Sequence, residues 1–315
     1  MTFASETPES DGGLPQIPLH QLRSLVTDHA EAIRVACVCE ATAPKVGNVH
    51  PQASFDDCDF DDFRTAAERI ATILAGVDPS TGSRPPLGQQ VFNAIEATRE
   101  VTQANVNLGI VLLIAPLAAA KDQDHVADVL AGLTPTDGFW VYRAIALAAP
   151  GGVVDRDGNR SGGAKRDDAS ENAVERQWDV TSTPTGGIDL IAAMRQARYR
   201  DRIARQYGED FRDFFDHVVP VVADELSTVG TAEDAIVKAQ LRLLAAEPDS
   251  LIARKCGAEI AAEACRRAAA CLRNDNHTDP AAIADFDRWL RADGNRRNPG
   301  TTADLIAAAI YWLIR

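Results

Sequence analysis

Six polar segments of the chain carry residue types suited to chemistry on a phosphorylated small molecule. The first reads Glu40-Ala-Thr-Ala-Pro-Lys-Val-Gly-Asn-Val-His50-Pro and follows a long apolar run. It presents Glu40, Lys45, Asn48 and His50 on a loop braced by Pro44, Gly47 and Pro51. Loops placed by rigid helices are where catalytic groups concentrate, and Lys45 there could neutralise a phosphate as a point charge. A helix C-terminus with solvated side chains explains the same residues about as well. The second segment, Ser54 to Phe63, sets Asp56, Asp57, Asp59, Asp61 and Asp62 among Phe55, Phe60 and Phe63. Most of these carboxylates suit a helix N-terminus. One or two could hold Mg²⁺, which takes oxygen ligands and keeps waters for phosphates.

The third segment, Gln103-Ala-Asn105-Val-Asn107-Leu-Gly109, precedes an apolar helix over 110–120. Backbone N–H groups at a helix start attract anions, and glycine permits close approach. The fourth comprises Asp179 and then Met194 to Tyr207, where a helix would set Arg198, Asp201 and Arg202 within one turn. That set is either a surface ion-pair ladder or a carboxylate oriented by arginine towards a pocket. The fifth, Asp249 to Gly257, carries the basic pair Arg254 and Lys255; the sixth, Asn298-Pro-Gly-Thr-Thr-Ala-Asp304, feeds another helix. No phosphate-cradling GxxxxGK[ST], dinucleotide GxGxxG, GxSxG or HExxH pattern occurs.

The elements that must position these groups read as helices. The chain has 315 residues, 45% of them hydrophobic, 25% charged and only 6% aromatic, with alanine in nearly every apolar stretch. That composition favours closely packed helices over a sheet. A helical pattern runs from Leu19 to just before Pro44, and others cover about 60–75, 88–104, 106–120, 123–131 and 136–148. They resume at about 188–206, 209–227, 231–246, 256–273, 280–292 and 301–314, the last capped by Thr301 or Thr302. The expectation is all-α: one globular multi-helix domain over 16–315, a disordered tail over 1–15, and a polar insertion around 155–186. The insertion is either surface decoration or a lid hinged at Pro150-Gly-Gly152, and 153–159 suits a small hairpin. The six cysteines lack zinc-site spacing and read as reduced core residues.

Acids outnumber bases 46 to 32, a net charge of −14. Such a surface repels phosphate backbones, so nucleic acid and anionic membranes are poor partners. No apolar run reaches the roughly 20 residues of a spanning helix, and the polar, acidic first residues do not resemble a secretory signal. A soluble, cytoplasmic protein is expected, its oligomeric state open.

Taken in order, the segments resemble the triphosphoribosyl-dephospho-CoA synthase family. The resemblance rests on Glu40-x3-Pro44-Lys45-x-Gly47-Asn48, on Asn105-Val-Asn107-Leu-Gly109, and on Asp179 with Met194 and Arg200-Asp201-x-Ile-Ala-x-Gln-Tyr207. It continues through Asp249-x3-Ala-Arg254 and Pro299-Gly-Thr-Thr-Ala-Asp304-Leu. Departures are Val46 in place of a second proline, a long charged 155–186 segment and a less glycine-rich final motif. The resemblance implies an enzyme that moves the triphosphoribosyl group of ATP to the 2′-hydroxyl of 3′-dephospho-CoA and releases adenine, in the synthesis of a prosthetic-group precursor. It implies Lys45, Arg254 and Lys255 on phosphates, with Asn48, Asn105, Asn107 and Gly109 orienting ribose or phosphate. Glu40 and Asp201 would serve the chemistry with Arg202 fixing Asp201, Asp304 would close the site, and Asp56, Asp57 and Asp201 would hold Mg²⁺. Three rivals stand beside it: the same donor chemistry on another acceptor, such as a pterin or one-carbon cofactor precursor; Mg²⁺-dependent N-glycosidic hydrolysis; and a non-enzymatic helical binding protein. The enzyme readings require the loops at 40–57, 103–109, 201 and 249–254 to meet in one pocket.

Overall fold

Two helices are apolar on nearly every face, and a helix of that kind belongs at the centre of a fold rather than on its rim. They are Leu108–Ala119 (α5) and Gly300–Ile314 (α15). In the computed structural model, which describes residues 19–76, 84–148, 187–228, 230–272 and 278–315, these two pack on each other at the middle of an all-helical assembly. Before α5 come Leu19–Leu25 (α1), His29–Thr42 (α2), Phe60–Ala75 (α3) and Leu87–Arg99 (α4). Between the two central helices lie Asp124–Ala131 (α6), Pro135–Ala148 (α7), Leu190–Ala197 (α8), Arg202–Gly208 (α9), Val219–Ser227 (α10), Ala232–Ala246 (α11), Ser250–Cys256 (α12), Ala258–Cys271 (α13) and Pro280–Arg291 (α14). Only Ala292–Asn295 is extended among the described residues. Alanines at 303, 307, 308 and 309 let neighbours approach α15 closely, and α2, α5, α10 and α11 all lie against it. A smaller apolar cluster of Val46, Leu241, Leu244, Ile252, Ala264, Phe286 and Leu290 sits beneath the lysine loop.

Several expected helices are broken, each time by a side chain that competes for the backbone. The stretch from Leu19 splits at Asp28, whose carboxylate accepts from Glu31 N at 2.9 Å and starts α2. The 188–206 stretch splits at Asp201, which accepts from Ile203 N and Ala204 N and begins α9. Arg198, Asp201 and Arg202 therefore do not share one helical turn. The 209–227 stretch is interrupted by left-handed residues at Asp210 (φ 53°) and Phe211 (φ 58°), followed by a π-helical turn at Phe214–Val218. Gly257, at φ 93°, separates α12 from α13. Neither Thr301 nor Thr302 caps α15 with its own side chain; the carboxylate of Asp249 does so from a distant loop. The acidic run around Asp59 forms a capping box with Asp62 at the head of α3.

The expected tail, the insertion around 155–186, its hinge, the 153–159 hairpin and Asp179 all lie outside the described residues. All six cysteines are free thiols, as expected. Burial pushes every one of them up, Cys39 to about 12 and Cys271 to about 11.

The break at 209–213 is stabilised by a buried ion pair. Arg202 donates to Asp213 through Nε at 2.9 Å and Nη2 at 3.1 Å, and Gln206 Nε2 adds a bond of 2.8 Å. Burial alone would raise the Asp213 carboxyl, yet these donors and the nearby charge of Arg205 hold it below the usual range. Its stabilising contribution is complete above the unfolded value of about 3.9 and is lost as pH falls through the lower folded value. Asp213→Asn should therefore lower the melting temperature near neutrality and flatten its decline below about pH 4, measured by thermal melts across pH.

Candidate active site

Four separate parts of the chain bring charge to one place. Glu40 lies on the last turn of α2, where its side chain is buried and its Oε1 sits 2.9 Å from Lys45 Nζ. The chain turns at Pro44 and folds the lysine back over the helix end, so the ammonium also donates to the carbonyls of Glu40 and Ala43. Lys45 is 1% exposed. It faces inward, as the counter-ion of Glu40, and not into an open phosphate-binding mouth. The loop beyond it is locked. Gln240 pairs with both the N–H and C=O of Val46 and donates to Asn48 Oδ1, while Asn48 Nδ2 donates to Asn298. Gly47 is left-handed (φ 70°) and packs on Leu290, where a Cβ would fall 2.7 Å from Cδ1; no other residue fits there.

Asp249 anchors the second part. Its Oδ1 accepts from Leu251 N and Ile252 N and its Oδ2 from Thr302 N and Oγ1, all within 2.8–3.1 Å. One carboxylate thus caps both α12 and α15. Ser250 adds a bond to Thr301, again at 3.0 Å. The cap sets α12 so that Arg254 reaches Asp201, with Nη1 2.6 Å from Oδ2. Arg254, not Arg202, fixes Asp201; the expected pairing fails because Arg202 points to Asp213 on the other side of α9. Lys255, one residue further on, is half-buried, and burial followed by repulsion from Arg254 lowers its ammonium. It has no salt bridge among the described residues.

Asp304 occupies the middle. It projects from the first turns of α15, and burial, followed by the charges of Glu40, Asp249 and Asp201, raises its carboxyl well above the usual range, with Arg254 opposing. Opposite it, Gly109 opens α5 without a side chain: a Cβ there would lie 2.0 Å from Asp304 Oδ2 and 2.7 Å from Ile203 Cδ1. Beside this cluster is a small, largely apolar pocket lined by Cys37, Glu40, Phe63, Ile70, Asn107 and Ile110. Asn107 is held there by Thr98, at 2.9 Å.

Glu40, Lys45, Asn107, Gly109, Asp201, Arg254 and Asp304 therefore converge. Asn105 lies at the exposed edge, its side chain taken up by Leu108 N. Asp56 and Asp57 are exposed, and Asp57 accepts from Asn295 at 3.0 Å. Among the described residues no three His, Cys, Asp or Glu side chains form a metal-binding group. The sequence reading overlooked Asp249 as the anchor of two helices and Gln240 as the brace of the lysine loop. The Asp-Ser pair ahead of an apolar run was a readable cap signal; the brace left no local trace, since Gln240 and Val46 are 194 residues apart.

The model of the ATP:dephospho-CoA triphosphoribosyl transferase family matches residues 27–314. A crystal structure from Archaeoglobus fulgidus, described as a triphosphoribosyl-dephospho-CoA synthase, shares the fold with a TM-score of 0.54 at 20% identity, over 79% of this chain and 96% of that one. A comparison with curated proteins gave no match.

Two substitutions separate support from chemistry. Lys45→Met strips the counter-charge from buried Glu40 and should cost about 3–5 kcal/mol, seen as a lower melting temperature together with lost turnover. Gly109→Ala meets Asp304 at both Oδ2 and Cγ and Ile203 at Cδ1, so the Asp304 side chain must turn to make room. It should lower the melting temperature by less than Lys45→Met does, while turnover falls about 10²-fold as Asp304 is displaced.

Proposed function

The chain belongs to the ATP:dephospho-CoA triphosphoribosyl transferase family, and from that premise we propose how its own residues divide the work. The enzyme transfers a triphosphoribosyl group from ATP to dephospho-CoA. In our reading the 2′-hydroxyl of 3′-dephospho-CoA attacks C1 of the ATP ribose, adenine leaves, and the triphosphate is carried over intact, giving the precursor of a prosthetic group. The observation that carries this reading is the meeting of Glu40, Asp201, Asp249, Asp304 and Arg254 around one point. Breaking the bond to adenine leaves positive charge on the ribose, and carboxylates held close to that carbon lower the barrier.

Roles follow from what each group is already bound to. Arg254 bridges the acidic cluster to the outside, and Lys255 beside it has no salt bridge among the described residues, so the pair suits the triphosphate. The lowered ammonium of Lys255 would regain its proton affinity beside phosphate oxygens. Lys45 sets the position of Glu40 from within, and Asn107 lines the small pocket beside it. Magnesium enters this reading as part of the ATP substrate, bound to its phosphates, with Asp56 and Asp57 at the exposed edge. The reaction requires no membrane, and no described helix is long and apolar enough to cross one; a cytoplasmic setting suits substrates made there.

The decisive assay incubates the protein with ATP, Mg²⁺ and 3′-dephospho-CoA and follows free adenine and the mass of the acceptor. Adenine release that depends on the acceptor, with one triphosphoribosyl group gained, is the expected outcome. Release without acceptor would indicate hydrolysis, and release with only a different acceptor would move the enzyme to another cofactor. Arg254→Met should raise the KM for ATP more than it lowers the melting temperature, because its ion pair with Asp201 is part-exposed and worth about 1 kcal/mol or less.

A further inference from the structure

Three carboxylates of the cluster are already committed. Glu40 is paired with Lys45, Asp201 with Arg254, and Asp249 accepts four hydrogen bonds. Asp304 differs. No hydrogen bond or ion pair to its carboxyl is found among the described residues, although it is half-buried and faced by the other three. A carboxyl crowded by like charges and partly withdrawn from water holds its proton more tightly than usual. Its carrier, α15, is buried along nearly its whole length, so the backbone that bears the group is held in place. Opposite, the backbone of α5 is bare at Gly109, so Oδ2 fills space that any side chain would take from it. Such a carboxyl, holding its proton more tightly than its paired neighbours, is suited to donate one.

We infer that Asp304 is the general acid that protonates the departing adenine; this rests on the triphosphoribosyl-transfer reading above. The bond between C1 of the ribose and N9 of adenine breaks with its electron pair moving to N9, while the Asp304 proton passes to a ring nitrogen of the purine. Adenine leaves as the neutral base. The acceptor hydroxyl oxygen bonds to C1 and its proton goes to water, from which Asp304 is reprotonated. The net change is one proton moved from hydroxyl to adenine. The raised Asp304 carboxyl accords with this role, and the paired carboxylates of Glu40 and Asp201 are left to face the cationic ribose.

The test uses Asp304→Asn and two donors, ATP and N7-methyl-ATP, whose purine is already cationic and departs without a further proton. With ATP, adenine release by Asp304→Asn should fall about 10²–10⁴-fold in kcat, with KM little changed. With N7-methyl-ATP the variant should stay within a few-fold of wild type. Equal losses with both donors, or no loss with ATP, would overturn the assignment. Absence of adenine release by the wild-type protein would instead overturn the transfer reading itself. Should the variant not fold, wild type alone decides. With ATP, kcat/KM should decline on the alkaline side as Asp304 loses its proton, and with N7-methyl-ATP it should not. The groups facing Asp304 are Glu40 and Cys37 on α2, Asp249 and Arg254 at α12, and Asp201 at α9; their titration would affect both donors alike. Parallel profiles would therefore reject Asp304 as the donor.

Discussion

Four donors converge on the carboxylate of Asp249, and the site could not exist without that convergence. The acid is buried, and burial raises its carboxyl despite the four hydrogen bonds. The cost of enclosing it is offset by satisfying two helix starts that would otherwise leave N–H groups unpaired in the interior. The start of α12 and the start of α15 are tied to the same side chain, so Arg254 and Asp304 keep a fixed relation although 50 residues separate them in the chain. A cap of this kind is more demanding than an ordinary one. Its loss would free both helix ends together and let the acidic cluster spread.

Charge is balanced in pairs around the cluster, with one group left over. Glu40 has Lys45 and Asp201 has Arg254, each pair formed between a helix end and a neighbouring turn. The pairs differ in depth. The first is buried, which makes it a structural commitment; the second is part-exposed and open to rearrangement when an anionic ligand arrives. Asp304 is the odd member, and an unpaired acid in an enclosed site costs stability at neutral pH. Enzymes commonly carry such strain where the chemistry happens. The net acidity of the chain therefore does not conflict with a phosphorylated substrate, because the basic groups are local and placed at one edge.

Periodicity made most of the fold legible, because apolar spacing in α3, α13 and α14 follows directly from which face must be buried. The breaks at Asp28, Asp201 and Asp210 were hidden, since each interrupts the backbone while leaving the apolar pattern in phase. The polar segments were readable as a set, and Glu40, Asp201, Arg254 and Asp304 do meet. Their pairings were not readable. A continuous helix would stack Arg202 on Arg198, but the chain breaks at Asp201 and Arg202 turns to Asp213. Lys45 reads in the sequence as a loop cation free to meet a phosphate; only the tight fold of the chain at Pro44 places its ammonium under the end of α2. Gln240 could not be assigned to the lysine loop from any local signal.

The thiol of Cys37 lines the pocket beside Glu40, and burial together with the charge of Glu40 keeps it protonated. Sulfur attacks electrophiles as thiolate, so this cysteine is a spectator to the reaction around it. The same acidity that arms one side chain in the cavity disarms its neighbour, and alkylating reagents should find little to label there.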